Sequence, residues 1–281
     1  MASVMGLHMI FMNRMDHSLI ALREMDMLAA GNSPVHKLHP SAKLVVTIAY
    51  IIITVSFSKY QLNGLLMMII YPAFLFSSSG VTVGTCFRKL RFILPLVLAV
   101  GLFNPLFDRA VMIKIGNIAV SGGTISMVTL MLKGVFCLAA SFLLMATTSI
   151  DNLCAALRKF RIPPMMVSLL LLTYRYIGLM TEELSVMTDA YTLRAPGQKG
   201  IRFNAWGSFL GQLILRTMDR ADELYNSMQL RGFSGSFTYA DCKRFDRRDA
   251  LWIILWILLF LICRFLDIPG ILGSLLLGGL S

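Results

Sequence analysis

Charge is scarce in this chain. Asp, Glu, Lys and Arg make up 15% of its 281 residues, where soluble domains carry about 25%. The shortage is concentrated in long uncharged runs, which excludes an ordinary soluble domain and points to a protein that crosses a membrane several times. Thiol chemistry is thin as well. The five cysteines, Cys86, Cys137, Cys154, Cys242 and Cys263, are odd in number, far apart and without a CxxC pair. Neither a disulfide framework nor a zinc site is expected of them; they read as small apolar residues in or near the membrane. No GxxxxGK(S/T) sequence occurs, so the chain has no P-loop of its own. The opening stretch is apolar only from Val4 to Met12, with no basic cluster before it and no small-residue cleavage site, and is not expected to be a cleaved signal peptide.

What is present begins with a net charge of +11. No basic stretch is interleaved with aromatics on a soluble module, so nucleic acid is not an expected partner. In a membrane protein Lys and Arg collect in cytoplasmic loops, and that rule orients the chain. The apolar runs are Leu44 to Ser58, Leu62 to Phe76, Phe92 to Phe107, Thr124 to Thr148, broken only by Lys133, and Leu251 to Leu266. The break Lys59-Tyr60-Gln61 makes the first two a helical hairpin, and Pro95 and Asn104-Pro105 interrupt the third. With Lys43 cytoplasmic, the loops Arg88-Lys89-Arg91 and Arg158-Lys159-Arg161 fall on the same side after two and four crossings. The stretch Glu182 to Asp249, with its ten basic residues, belongs there too. Met165 to Met180 must then not cross, and reads as a membrane-shoulder helix with Arg175 snorkelling between Tyr174 and Tyr176. Asp108 to Gly123, between the third and fourth spans, reads as a small extracytoplasmic β-hairpin.

The expected fold is therefore an all-α polytopic membrane protein with about five transmembrane helices, in the cell membrane. Its parts are a cytoplasmic segment over 1–43, spans one to four within 44–148, a cytoplasmic helical domain over 149–249, and the last span with its tail over 250–281.

That cytoplasmic domain contains a duplication. Leu184, Met187, Tyr191 and Arg194 follow steps of three, four and three, and Ala221, Leu224, Met228 and Arg231 repeat them 37 residues later. On a helix each set shares one face, so an apolar stripe ends in a cation, followed by Pro196-Gly197 in one copy and Gly232 in the other. A terminal arginine alone needs no partner, because it complements the helix dipole. Two at matched phase point instead to docking, since guanidinium is planar, permanently charged and multiply donating. Two copies of one plug imply two copies of one socket. The second helix is expected over Phe203 to Arg231, with an apolar face through Trp206, Leu210, Leu213, Thr217, Ala221, Leu224 and Met228. Arg216, Asp219, Arg220, Asp222 and Glu223 lie on its other face.

Other chemistry is weaker. His8, His17, His36 and His39 lie near the N-terminus, but carboxylate or thiolate support is missing and Pro40 favours a turn at His39. No metal site is assigned to them. An intramembrane enzyme would need convergent acidic, His or Ser groups on facing spans, which these spans scarcely supply.

The segment Leu215-Arg216-Thr217-Met218-Asp219-Arg220-Ala221-Asp222-Glu223, with Met228-Gln229-Leu230-Arg231-Gly232-Phe233, resembles the second coupling helix of the transmembrane T components of energy-coupling factor transporters, cobalt branch. Leu172-Thr173-Tyr174-Arg175-Tyr176 with Glu182-Glu183, and Ser33 to Leu44, are similar to other parts of that family, and the resemblance runs from about Asp26 to Leu266. It implies a non-catalytic subunit of an ATP-driven importer that binds no cofactor, the ATP being used by two cytoplasmic ATPase subunits. Arg194 and Arg231 would each enter a groove on one ATPase, flanked by Leu193 and Ala195 and by Leu230 and Gly232. A separate substrate-binding membrane subunit would capture cobalt or nickel, or in the alternative a vitamin. The family commonly has Asp and Arg where this chain has His39 and Ser41. Asp caps a helix better than His, so a weaker turn is expected before Pro40.

Overall fold

A computed structural model describes residues 24–58, 62–91, 93–107, 111–115, 118–196, 201–235 and 245–265. The expected Lys59-Tyr60-Gln61 break, His8, His17, Cys242 and the tail from Pro269 to Ser281 lie outside them. Backbone contacts divide the chain into two compact units, Leu28–Ser149 with Lys243–Ser281, and Met1–Met27 with Ile150–Cys242.

The division falls within α1 (24–29), and in the first unit α2 (Pro34–Lys37) leads to α3 (Pro40–Ser56). Pro40 takes the first helical position, where a missing N–H is harmless. The expected weak start is corrected here: the His39 imidazole caps α3, its Nδ1 accepting from Ser41 N–H at 3.1 Å. The His39 N–H in turn donates to Asp249 Oδ1 at 2.9 Å.

The second expected span is not one helix. It divides into α4 (Leu62–Met67) and α5 (Ile70–Ser79), and Pro72 supplies the reason. Proline has no N–H to give the carbonyl four residues back, which is that of Met68. The Tyr50 hydroxyl of α3 replaces it, donating to Met68 O at 3.0 Å. Gly80, at φ 72°, ends α5. The expected basic loop after it is a helix as well, α6 (Val83–Leu90).

Then come α7 (Leu94–Phe107), β1 (Val111–Ile115), β2 (Ile118–Ser121) and α8 (Gly122–Thr147). Pro95 does not interrupt α7, because it falls in the first turn; Asn104-Pro105 lies inside the last turns, and the helix continues to Phe107. The strands pair antiparallel, as the hairpin expectation required, with Ile115 opposite Ile118 and Val111 opposite Ser121. α7 lies so close to α8 that a Cβ on Gly134 would meet Val97 Cγ1 at 2.5 Å.

The core of this unit joins Val46 and Tyr50 of α3, Tyr71 and Leu75 of α5, Phe136 and Leu143 of α8, and Trp256 and Phe260 of α12 (Arg247–Phe265). Cations close the helix ends around it. Lys43 Nζ, buried, donates to Thr147 O at 2.7 Å at the end of α8. Lys133 Nζ donates to Val55 O at 3.1 Å and to Phe57 O, and Arg264 Nη2 to Ser56 O at 2.9 Å, both at the end of α3. Cations there oppose the negative pole of the helix dipole. These contacts set α3 antiparallel to α8 and parallel to α12. The outer sides keep large apolar residues bare, among them Ile52, Leu96 and Ile254, which in a membrane face acyl chains.

The second unit comprises α9 (Ile150–Lys159), α10 (Pro164–Arg194) and α11 (Phe203–Leu230). Cys154 of α9 is buried against Val167 and Leu171 of α10. The expected shoulder helix and the first arginine-tipped helix are one continuous element of 31 residues, on the order of 46 Å long. By length and composition α8 and α10 can cross a membrane, and the bent pair 64–79 and 83–90 is a third candidate. At 17 and 14 residues, α3 and α7 are short of a square crossing. The protein is an all-α membrane protein apart from the β1–β2 hairpin.

Candidate functional site

α10 and α11 carry the expected site at their C-terminal ends. The stripe that defines the repeat is partly covered within the unit: Met187 is buried, and Leu184, Tyr191, Leu224 and Met228 are half-buried. What stands free is the tip. Leu193 is 81% exposed and Leu230 91%, and Arg194 and Arg231 are exposed beside them. An exposed leucine next to an exposed arginine joins an apolar contact to a charged one at a single point. Sequence periodicity favours the stripe because it marks the covered face, and the bare Leu193 and Leu230 follow from their lying one step off that phase.

The two tips end differently. On α11 the Gly232 N–H donates to Gln229 O at 2.9 Å and the Phe233 N–H to Met228 O at 3.0 Å. With Gly232 at φ 76°, this is the paired termination called a Schellman motif. Arg231 is its capping residue. On α10 Arg194 is still helical and Ala195 caps at φ −126°, its N–H donating to Tyr191 O at 3.1 Å. Alanine does not adopt the left-handed turn cheaply, so the first tip stops one residue later in the repeat.

The expected apolar face of α11 needs a correction in its first half. Phe209 is the buried residue, whereas Leu210 is 44% exposed and Trp206 39%; Leu213, Thr217, Leu224 and Met228 keep the expected side and Ala221 does not. A second row, Phe203, Leu210, Ile214, Met218 and Tyr225, is exposed along the helix. Sequence reasoning gave a face to Leu210 alone and left the other four unassigned, although the row's steps of seven, four, four and seven are helical. Arg216 of α11 pairs with Glu183 of α10, and Arg202 N–H donates to the Tyr191 hydroxyl at 3.3 Å. Both link the two arginine-tipped helices. Higher on α10, the Tyr174 hydroxyl lies 2.9 Å from both carboxylate oxygens of Asp26.

The N-terminal histidines have structural partners. His36 Nδ1 lies 2.6 Å from Ser33 Oγ and Nε2 3.0 Å from Leu28 O, and His39 is the cap already described. No cluster of three or more His, Cys, Asp or Glu suited to a metal occurs among the described residues.

Residues 31–240 match the model of the CbiQ family, described as cobalt transport protein. The chain is 27% identical to the energy-coupling factor transporter transmembrane protein EcfT of Ruminiclostridium cellulolyticum, over 79% of this chain and 88% of that one. It is 29% identical to the nickel permease LarQ of Lactiplantibacillus plantarum over 40% of this chain and 42% of that protein. With the cobalt transport protein CbiQ of Rhodobacter capsulatus the identity is 32%, over 33% and 38%. Three-quarters of the chain falls within the family match, both arginine tips included, and the chain belongs to the CbiQ family as a transmembrane T component of the energy-coupling factor type.

Proposed function

We propose that this chain is the non-catalytic coupling subunit of an ATP-driven importer for cobalt or nickel. Two cytoplasmic ATPase subunits each receive one tip, Arg194 with Leu193 and Ala195, or Arg231 with Leu230 and Gly232. ATP binding and hydrolysis move the ATPases, and the tips carry that motion along α10 and α11 toward a substrate-binding membrane subunit. The chain itself binds neither nucleotide nor metal, crosses the membrane about five times, and places 149–249 in the cytoplasm. The observation that most supports this is the pair of long helices that each end in a bare Leu-Arg step, 37 residues apart. A bare cation at a helix end gains little by itself, whereas a carboxylate- and carbonyl-lined groove would engage it strongly.

The metal rests on the family description and on the names of the LarQ and CbiQ relatives. A second reading, a vitamin-binding partner, is favoured by one observation: a relative matched over most of its length is an EcfT protein with no metal in its name. The test is charge reversal of both tips, Arg194→Glu with Arg231→Glu, in cells expressing the whole transporter. Uptake of Co2+ or Ni2+ should vanish while the chain stays in the membrane and releases the ATPases on purification. Full uptake with the ATPases still bound would refute the docking role. Co-purification of a vitamin-binding subunit would replace the metal reading with the vitamin one.

A further inference from the structure

The short helix α6 has a use that energy coupling does not supply. It follows the turn at Gly80 and is bent by 114° from the helix before it, so it leaves the direction of that span sharply. At 100° per residue its sides separate cleanly. Cys86 is buried, and Lys89 and Leu90 are half-buried. The outward side runs from Val83 and Phe87, 50% and 52% exposed, to Arg91 and Arg88, also exposed. An apolar edge thus grades into a cationic one within a single exposed face. Such a face suits the boundary between acyl chains and headgroups, with the rings and branched carbons below and the guanidinium groups above.

Neither α6 nor α8, against which it packs, contains Asp or Glu, and none occurs anywhere from Met27 to Phe107. We propose that α6 lies in the membrane surface and holds anionic phospholipid headgroups through Arg88 and Arg91, anchored by Phe87 and Val83. A guanidinium engages a phosphate through two parallel N–H bonds, and the two positive charges favour a headgroup whose phosphate no ammonium offsets, so the site should prefer phosphatidylglycerol or cardiolipin to zwitterionic lipid.

The test uses the full chain with its co-expressed partner subunits in native membranes, with p-benzoylphenylalanine substituted for Phe87. After irradiation, mass spectrometry identifies what the ring has joined. The expected adducts are phospholipids, severalfold richer in anionic headgroups than the membrane as a whole. Arg88→Gln with Arg91→Gln should return the adducts to bulk composition, and Arg88→Lys with Arg91→Lys should keep most of the enrichment. Arg91→Gln alone, in the turn after the helix, is the variant least able to disturb folding and should remove part of it. Adducts to polypeptide, lipid adducts at bulk composition in the parent, or enrichment unchanged in both Gln variants would each overturn the proposal.

Discussion

Replacing Gly232 by alanine should loosen the second tip, and replacing it by asparagine should not. Gly232 sits at φ 76°, a backbone region that costs an L-residue with a Cβ about 1–2 kcal/mol. Space is not the obstacle, since nothing lies within 4 Å of where a Cβ would be. The whole penalty is therefore conformational. Three N–H groups, those of Arg231, Gly232 and Phe233, donate on this turn to carbonyls of the last helical turn. In Gly232→Ala the chain relieves the strain by opening these bonds. Asparagine tolerates the left-handed region better because its amide bonds locally.

Amide hydrogen exchange at residues 231–233 reads this directly. A penalty of about 1–2 kcal/mol should speed exchange roughly 5- to 30-fold in Gly232→Ala, with Gly232→Asn close to the parent. On the docking reading, affinity for the ATPase subunits should fall in Gly232→Ala by no more than the same factor, because the cost is that of re-forming the tip before it seats. Ala195 at φ −126° carries no such strain, so the first tip gives no comparable response to a change of Cβ. Parental exchange rates in Gly232→Ala, or equal acceleration in the Ala and Asn variants, would refute the claim that a left-handed residue terminates α11.

Two other substitutions test the membrane unit. Tyr50→Phe removes the hydroxyl that donates to the Met68 carbonyl and should destabilise the chain in detergent by about 1–3 kcal/mol; in a Pro72→Ala background, where a backbone N–H is restored to that carbonyl, chemical denaturation should show a smaller loss. Gly134→Leu places carbon where Val97 already lies, and should lower the yield of folded protein in size-exclusion profiles, a defect that Val97→Ala relieves in part.

Much of this architecture is legible in the residues, and what is not has physical reasons. The apolar runs find the helices because burial in protein and burial in lipid both demand apolar side chains. The hairpin is legible from alternation around Ile113 to Val120. The break in the second span is missed because Pro72 lies in an unbroken apolar run, and only the fold brings Tyr50 to the freed carbonyl. The cap of α3 is missed for a similar reason. His39 is an ordinary poor cap by residue type, and its support comes from Asp249, 210 residues away. α6 is hidden because its basic end reads as a loop, whereas eight residues suffice for two helical turns once Cys86 is buried.

The repeat of α10 and α11 shows how far a spacing argument carries and where it stops. Identical steps place Arg194 and Arg231 on equivalent faces, so the existence of two tips follows from periodicity alone. Their geometry does not, because helix termination is set by the residue after the arginine. Glycine allows a left-handed turn that folds the chain back over the last carbonyls, and alanine before proline ends its helix at φ −126°, ψ 63° instead. Leu193 and Leu230, one position before the cations, are bare in both copies despite this difference. If both tips seat in identical grooves, the shared Leu-Arg step must carry recognition and the unlike turns must be tolerated. A groove that reads the turn as well would distinguish the two tips, and the two ATPase positions would then differ in affinity for this chain.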